Sequence, residues 1–189
     1  TSVGGAAVNY ANGIQYNGQQ MPDLVANLRI DQGWGSAQVM AALHEARATT
    51  GGVNFSKTGY AIGAGLRLNL DMLARGDVLW LQAVYADGAL SYAWTNVNSD
   101  SIVSSRSQIA VKALTVDYAD AAVAGGVMQT SKTWAFHAGF RHFWTPALRS
   151  ALWGTYATVD APAVSTMADF SITRIGANTI WSPVRNLDL

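Results

Sequence analysis

Apolar and polar side chains alternate with a period of two over long segments, and this pattern constrains the fold more than any other feature of the chain. In the segment TGYAIGAGLRLNL, one face is apolar throughout: Tyr60, Ile62, Ala64, Leu66, Leu68 and Leu70. The other face carries small and polar residues that include Gly63, Arg67 and Asn69. Such a strand is long, because strands of soluble proteins usually have about five or six residues. The alternation therefore predicts an all-β fold of long strands.

Six further segments alternate in the same way, the second of them more weakly: 23–31, 36–45, 77–88, 133–144, 148–159 and 172–181. The strand status of 109–123 is open, and another strand is expected to begin at Leu187. The chain therefore has about seven to nine predicted strands. No segment of comparable length shows a helical stripe.

Short and long connections follow one another along the chain. The short ones (DQGWGS, DMLARGD, WTPALR and WSPVRN) carry Gly, Pro, Asp or Asn and suit tight turns. The predicted loops 45–57, 87–132 and 160–169 are longer and polar. In an antiparallel sheet this alternation puts all short turns at one end and all long loops at the other, which is typical of transmembrane β-barrels.

Aromatic residues lie near both ends of the predicted strands, which is where the two aromatic girdles of a transmembrane β-barrel lie. Those beside short turns are Trp34, Trp144 and Trp181, and those near the long loops are Tyr60, Tyr85, Trp134 and Tyr156. Trp134 and Trp144 are ten residues apart on one face. At about 3.3 Å per residue and a tilt of about 40°, their heights differ by about 25 Å. This is the height of the apolar band between the aromatic girdles of such barrels.

Composition supports a membrane barrel over a soluble antiparallel β-sandwich, which is the alternative for a binding or structural domain. Only 13% of the residues are charged, against about 25% in ordinary soluble domains. Twelve basic and twelve acidic residues cancel, which argues against a nucleic-acid partner. Cysteine is absent, so no disulfide or thiolate metal site forms. No apolar run reaches the 18 residues of a transmembrane helix.

No catalytic constellation is visible, so we expect no enzyme, no cofactor and no metal site. His44, His137 and His142 fit no metal-ligand spacing. A lipase-like barrel enzyme is a second alternative, but no Ser/His/acid set supports it.

In a membrane barrel the apolar face meets lipid and the opposite face lines a water-filled lumen. The predicted pore-lining residues are Arg29, Arg67, Arg141, Arg149, Arg174, Asn69 and Asn178. Water channels need about 16 strands, so the chain is expected to supply half of a barrel. One hypothesis is that Arg67, Arg141 and Arg149 form a basic strip that selects solutes. The other is that each arginine pairs with a nearby carboxylate and braces the wall.

Several phrases carry a family resemblance: DQGWGSAQ, HFWTPALR and IWSPVRNLD. With the segments around them they resemble the outer-membrane porins of alphaproteobacteria, of the rhizobial and Brucella type. The resemblance implies a 16-stranded barrel, usually a homotrimer, that lets small hydrophilic solutes diffuse across the bacterial outer membrane. Residues 1–189 are then expected to be one porin domain truncated at both ends. The inward loop that narrows such pores is not identifiable and is expected upstream.

Overall fold

A computed structural model of the chain describes residues 20–93, 120–164, 169–184 and 187–189, and the backbone alone of Gln15 and Tyr16. Its strands are β1 (Gln15–Tyr16), β2 (Leu24–Gln32), β3 (Gly35–Thr50), β4 (Val53–Asn69), β5 (Val78–Asp87), β6 (Ala121–Ala124), β7 (Val127–Thr130), β8 (Lys132–Thr145), β9 (Leu148–Asp160) and β10 (Phe170–Trp181). A short 3₁₀ helix, Leu90–Tyr92, follows β5. No helix in these ranges is long and apolar enough to cross a membrane.

Eight of these strands form one antiparallel sheet in the order β1, β3, β4, β5, β8, β9, β10, with β2 also paired to β3. β6 and β7 form a separate hairpin. The seven strands predicted from the alternation are all confirmed, because each corresponds to one long strand of this sheet. The prediction of an all-β antiparallel fold is therefore confirmed.

The connection between β3 and β4 differs from the prediction of a long polar loop over 45–57. The two strands continue to Thr50 and from Val53, and only Gly51 and Gly52 lie between them. Their φ angles are +56° and +79°, and a two-residue hairpin turn of type I′ requires positive φ at both central positions. Ala46, Arg47 and Ala48 are all buried in this extension, so a segment whose composition is that of a loop is a packed part of the strand.

Two further predicted strand positions have different outcomes. Most of 109–123 lies outside the described residues, and its last part belongs to β6. No strand begins at Leu187 within 187–189; Leu187 forms an isolated bridge with Val184. Leu189, however, exchanges two backbone hydrogen bonds with Trp181, of 2.9 and 3.0 Å between nitrogen and oxygen.

The sheet has two unlike faces. The apolar face carries Leu81, Phe136 and Ile175, whose side chains lie in the open: Ile175 is 76% exposed. The polar face carries the residues next to them in sequence, such as Gln82 and His137. At the long-loop end the polar face is covered by the 3₁₀ helix, which packs in a buried apolar cluster: Ala42, Ala61, Val84, Ala86, Ala89, Leu90, Ala93, Ala135 and Val159. The core of the described chain thus lies on the polar face.

Candidate functional site

Cross-strand pairing aligns one residue from each of seven strands into a row across the polar face, which we call the polar row: Arg29, Gln38, Gly65, Gln82, His137, Thr155 and Arg174. Six of the seven have polar side chains and the seventh is glycine. The neighbours of the polar row in sequence are largely apolar, since successive strand residues point to opposite faces. The polar row therefore places a hydrophilic strip directly behind the apolar face.

The next row toward the short turns carries two indoles, and we call it the tryptophan row: Asp31, Ser36, Arg67, Trp80, Gly139, Trp153 and Gly176. A β-carbon on Gly139 would lie 3.8 Å from Cε3 of Trp80 and 3.7 Å from Cβ of Trp153. A β-carbon on Gly176 would overlap the indole of Trp153. The indole of Trp153 therefore lies over the backbone of the neighbouring strand.

The remaining predicted pore-lining residues lie on the same face, nearer the short turns. Asn69, Arg141 and Asn178 share a row with Val78 and Ala151. Arg149 lies one row further on, opposite Phe143. All seven residues predicted to line a pore are thus brought to one face of the sheet.

Two of the arginines on this face have carboxylate partners. Nη2 of Arg29 lies 2.7 Å from Asp31, and Nη2 of Arg149 lies 2.7 Å from Asp188. Hydrogen bonds from Ser182 and Arg149 lower the pKa of Asp188 below its usual range. These pairs match the interpretation in which an arginine braces the wall.

The other three arginines have no such partner within the ranges described. No ion pair within 4.0 Å forms to Arg67, Arg141 or Arg174 there. Arg141 donates from Nη2 to the carbonyl oxygen of Gly76 at 3.2 Å. Its Cζ lies 5.4 Å from the ring centroid of Trp80 and 5.3 Å from that of Phe143. These distances are typical of cation–π contacts.

A depression of 570 Å³ connects the polar row and the tryptophan row. Arg67, Trp80 and Trp153 are among the residues that line it, together with Gln82 and His137. It therefore brings cations, indole rings and hydrogen-bonding groups onto one surface. The sequence interpretation did not single out either tryptophan as a site residue, although Trp80 has the parity of Gln82 in its strand and Trp153 that of Arg149.

At the long-loop end a partly buried polar cluster, in which His44 and Asp120 are buried, fixes the 3₁₀ helix to the polar face. Tyr92 donates to Asp23 at 2.6 Å, and the backbone N–H of Leu90 donates to Asp120 at 2.6 Å. His44 lies between the two carboxylates, 2.8 Å from Asp23 and 3.6 Å from Asp120. We call Asp23, His44, Tyr92 and Asp120 the loop anchor.

Burial sets the protonation chemistry of the loop anchor. It raises the pKa of the Asp120 carboxyl, against the hydrogen bond from Leu90. Burial and the hydrogen bond to Asp23 raise the pKa of Tyr92 to about 12. Sequence reasoning did not find this cluster, in which the segment after β5 packs onto the polar face. The inward loop expected upstream stays a prediction.

The predicted girdle residues near the long loops lie on the apolar face. Tyr60 and Tyr85 have ring centroids 6.0 Å apart, and Tyr85 and Trp134 4.6 Å apart. Tyr156 lies directly opposite Phe136. Tyr60, Tyr85 and Trp134 form a continuous aromatic stripe across three strands, and Tyr156 lies beside this stripe.

The tryptophans near the short turns are all exposed at the opposite end of the sheet. Nε1 of Trp144 donates to Ser150 at 3.0 Å, and Trp181 pairs with Leu148. Trp34 lies in the turn between β2 and β3. Within the described ranges, no group of three or more His, Asp or Glu side chains could hold a metal ion.

Comparison with known proteins identified a protein family and a similar solved structure. A family model described as the porin subfamily matches residues 3–189. The structure is similar to the outer membrane channel DcaP of Acinetobacter baumannii, with a TM-score of 0.69 and 18% identity. The match covers 97% of this chain and 47% of that one, so the chain spans about half the length of that channel. No curated protein matched the sequence significantly.

Proposed function

The chain belongs to the porin subfamily, and we propose that the complete protein is a porin through which small hydrophilic solutes and ions diffuse passively. Family and fold place the chain in the outer membrane. Residues 1–189 are, in this proposal, part of one barrel domain of about 16 strands, and the described sheet is one section of its wall. The rhizobial and Brucella-type affinity and the homotrimer implied by the resemblance belong to the proposal as well.

The observation that carries the proposal is the two-sided sheet. A polar row crosses seven strands, while the apolar face behind it stays exposed. Lipid contact suits the apolar face because that face offers hydrocarbon side chains and the sheet satisfies its own backbone hydrogen bonds. Water suits the polar face because its arginines and amides need solvation.

The aromatic residues support the orientation of the sheet in the bilayer. The stripe of Tyr60, Tyr85 and Trp134 lies at one end of the apolar face, and Trp144 and Trp181 lie at the other. Tyrosine and tryptophan suit a membrane interface because one part of the ring is apolar and one atom forms hydrogen bonds. We therefore assign these residues, with Trp34 and Tyr156, to two interfacial girdles.

A soluble β-sandwich fits these observations less well. In a sandwich the apolar face is covered by a second sheet about 10 Å away. Here Leu28, Val39 and Leu152 are more than half exposed, and soluble monomers rarely expose large contiguous apolar patches. An enzymatic role has no support from the described residues of the polar face: arginine, amides and indoles predominate there, and no nucleophile–base pair is evident among them.

The arginines divide the proposed wall into two kinds of site. Arg29 and Arg149 are paired with Asp31 and Asp188, so they brace the wall. Arg67, Arg141 and Arg174 form no ion pair within 4.0 Å to a described carboxylate, although the charge of Arg67 acts on Asp31 and that of Arg141 on Asp77. Since charged side chains on a pore wall set ion preference, we propose that these three give the channel an anion preference. The proposed set of selecting arginines thus includes Arg174 instead of Arg149, which the sequence hypothesis had placed in the basic strip.

The test of the proposal is conductance. The complete porin, purified and inserted into planar bilayers, is expected to produce stepwise increases of KCl current, with a reversal potential of the sign for anion preference under a salt gradient. A folded, heat-modifiable protein that inserts without conducting would overturn the porin assignment. Chemical cross-linking in detergent checks the homotrimer separately, by a ladder that ends at three subunits.

A further inference from the structure

We propose that Trp80 and Trp153, together with Arg67, Arg141 and Arg174, form a binding site for aromatic carboxylates on the channel wall. This inference rests on the proposed porin function and specifies which solutes the wall retains. It starts from the two indoles, whose position on the polar face a simple diffusion pore does not require.

Both indoles are available to a solute. Trp80 is 38% exposed and Trp153 is 45% exposed, although each lies beside a glycine of the neighbouring strand. The indole of Trp153 packs against the backbone of β10 at Gly176. Only glycine permits this contact, because a β-carbon at residue 176 would overlap the indole. One ring face is then covered by the wall. The uncovered face is a flat apolar surface on an otherwise hydrophilic side of the sheet.

Each indole has a cation beside it. Arg67 lies directly opposite Trp80 on β4, and Arg141 lies one row away on β8, with its Cζ 5.4 Å from the ring centroid. Arg174 occupies the position diagonal to Trp153 on β10. The described ranges supply none of these three arginines with a carboxylate partner within 4.0 Å.

These two features select one class of solute. The indole face offers stacking to a flat ring, which prefers offset or edge-to-face geometry at a few ångströms. The guanidinium groups offer charge-assisted hydrogen bonds to a carboxylate, whose two oxygens match the fork of arginine. A benzoate-like anion satisfies both features at once. The depression of 570 Å³ that Arg67, Trp80 and Trp153 line has room for it, and Arg141 and Arg174 lie beside this depression rather than in its lining. A saturated carboxylate of the same size satisfies only the second.

The experiment compares two anions in bilayers containing the complete porin, at constant ionic strength. Benzoate and cyclohexanecarboxylate are titrated, and the concentration that halves the KCl current is measured. Stacking is expected to make the half-blocking concentration of benzoate about three- to tenfold lower. Equal values for the two anions would overturn the site and leave the porin assignment intact, whereas absence of KCl current would overturn both.

Two variants locate the effect. Trp153→Ala is expected to remove most of the preference for benzoate. Leu152→Ala changes the adjacent residue, which points to the apolar face, and is expected to keep the preference. Loss of preference in both variants, or in neither, contradicts the assignment to Trp153. Should Trp153→Ala fail to assemble, Trp153→Phe provides the ring-conserving test and is expected to keep part of the preference; complete loss would count against stacking.

A neutral probe separates the ring from the charge. Benzyl alcohol is expected to reduce the current equally in the wild type and in the Arg67→Gln/Arg141→Gln variant. Benzoate is expected to block that variant less strongly than the wild type. Unchanged block by benzoate would overturn the role given to Arg67 and Arg141.

Discussion

Gly176 lies directly opposite Trp153 on the neighbouring strand, and the indole of Trp153 occupies the space that a β-carbon on residue 176 would fill. Glycine is therefore required at this position by packing rather than by backbone conformation, since the residue lies within the regular strand β10. The pair explains how a large ring can lie flat on the polar face. It also makes the position of the ring sensitive to a single methyl group.

Replacing Gly176 by alanine is expected to displace the Trp153 indole and to destabilise the barrel. Overpacking of this kind costs about 1–3 kcal/mol. The measurement is the midpoint of urea unfolding of the complete porin in detergent, with tryptophan fluorescence as the probe of unfolding. Gly65→Ala is the matched control, because its β-carbon would meet only a backbone oxygen at 3.9 Å. Equal midpoints for the two variants would contradict the packing described for Trp153.

Neutralising the unpaired arginines is expected to weaken the proposed anion preference. The double variant Arg67→Gln/Arg141→Gln removes two positive charges from the wall, and the reversal potential under a KCl gradient should move toward zero or toward cation preference. The comparison variant is Arg29→Gln/Asp31→Asn, which removes an ion pair of no net charge and should leave the reversal potential nearly unchanged. Similar shifts of the reversal potential in the two variants would contradict this proposal. They would mean that an arginine paired with a carboxylate affects ion preference as much as an unpaired one.

The loop anchor predicts a pH dependence at the alkaline end. The folded pKa of Tyr92 is raised from 10.0 to about 12, so its phenol contributes stability that is present below pH 10 and is lost as pH rises through about 12. The measurement is the ultraviolet phenolate absorbance of the wild type minus that of Tyr92→Phe. The difference should titrate near pH 12. A midpoint near pH 10 would mean that Tyr92 does not donate a hydrogen bond to Asp23.

Local pattern predicted the strands, their antiparallel order and the face of each arginine, because in a strand those depend only on residue parity. It could not find the loop anchor, since Tyr92 and Asp23 are 69 residues apart and no local pattern links them. Nor could it separate paired from unpaired arginines: Arg149 finds its carboxylate 39 residues away at Asp188. Composition also misled, because 45–57 is polar like a loop yet continues β3 and β4.

The most direct test introduces one arginine at either of two adjacent positions whose side chains point to opposite faces of the sheet. Leu81→Arg puts the charge on the apolar face in mid-strand, which costs about 2–4 kcal/mol near the bilayer midplane, while Gln82→Arg adds the same charge to the polar row. The yield of heat-modifiable barrel after outer-membrane assembly is measured for both. We expect a clear loss of yield for Leu81→Arg and near wild-type yield for Gln82→Arg. Equal yields, or a larger loss for Gln82→Arg, would contradict the assignment of one face to lipid and the other to water.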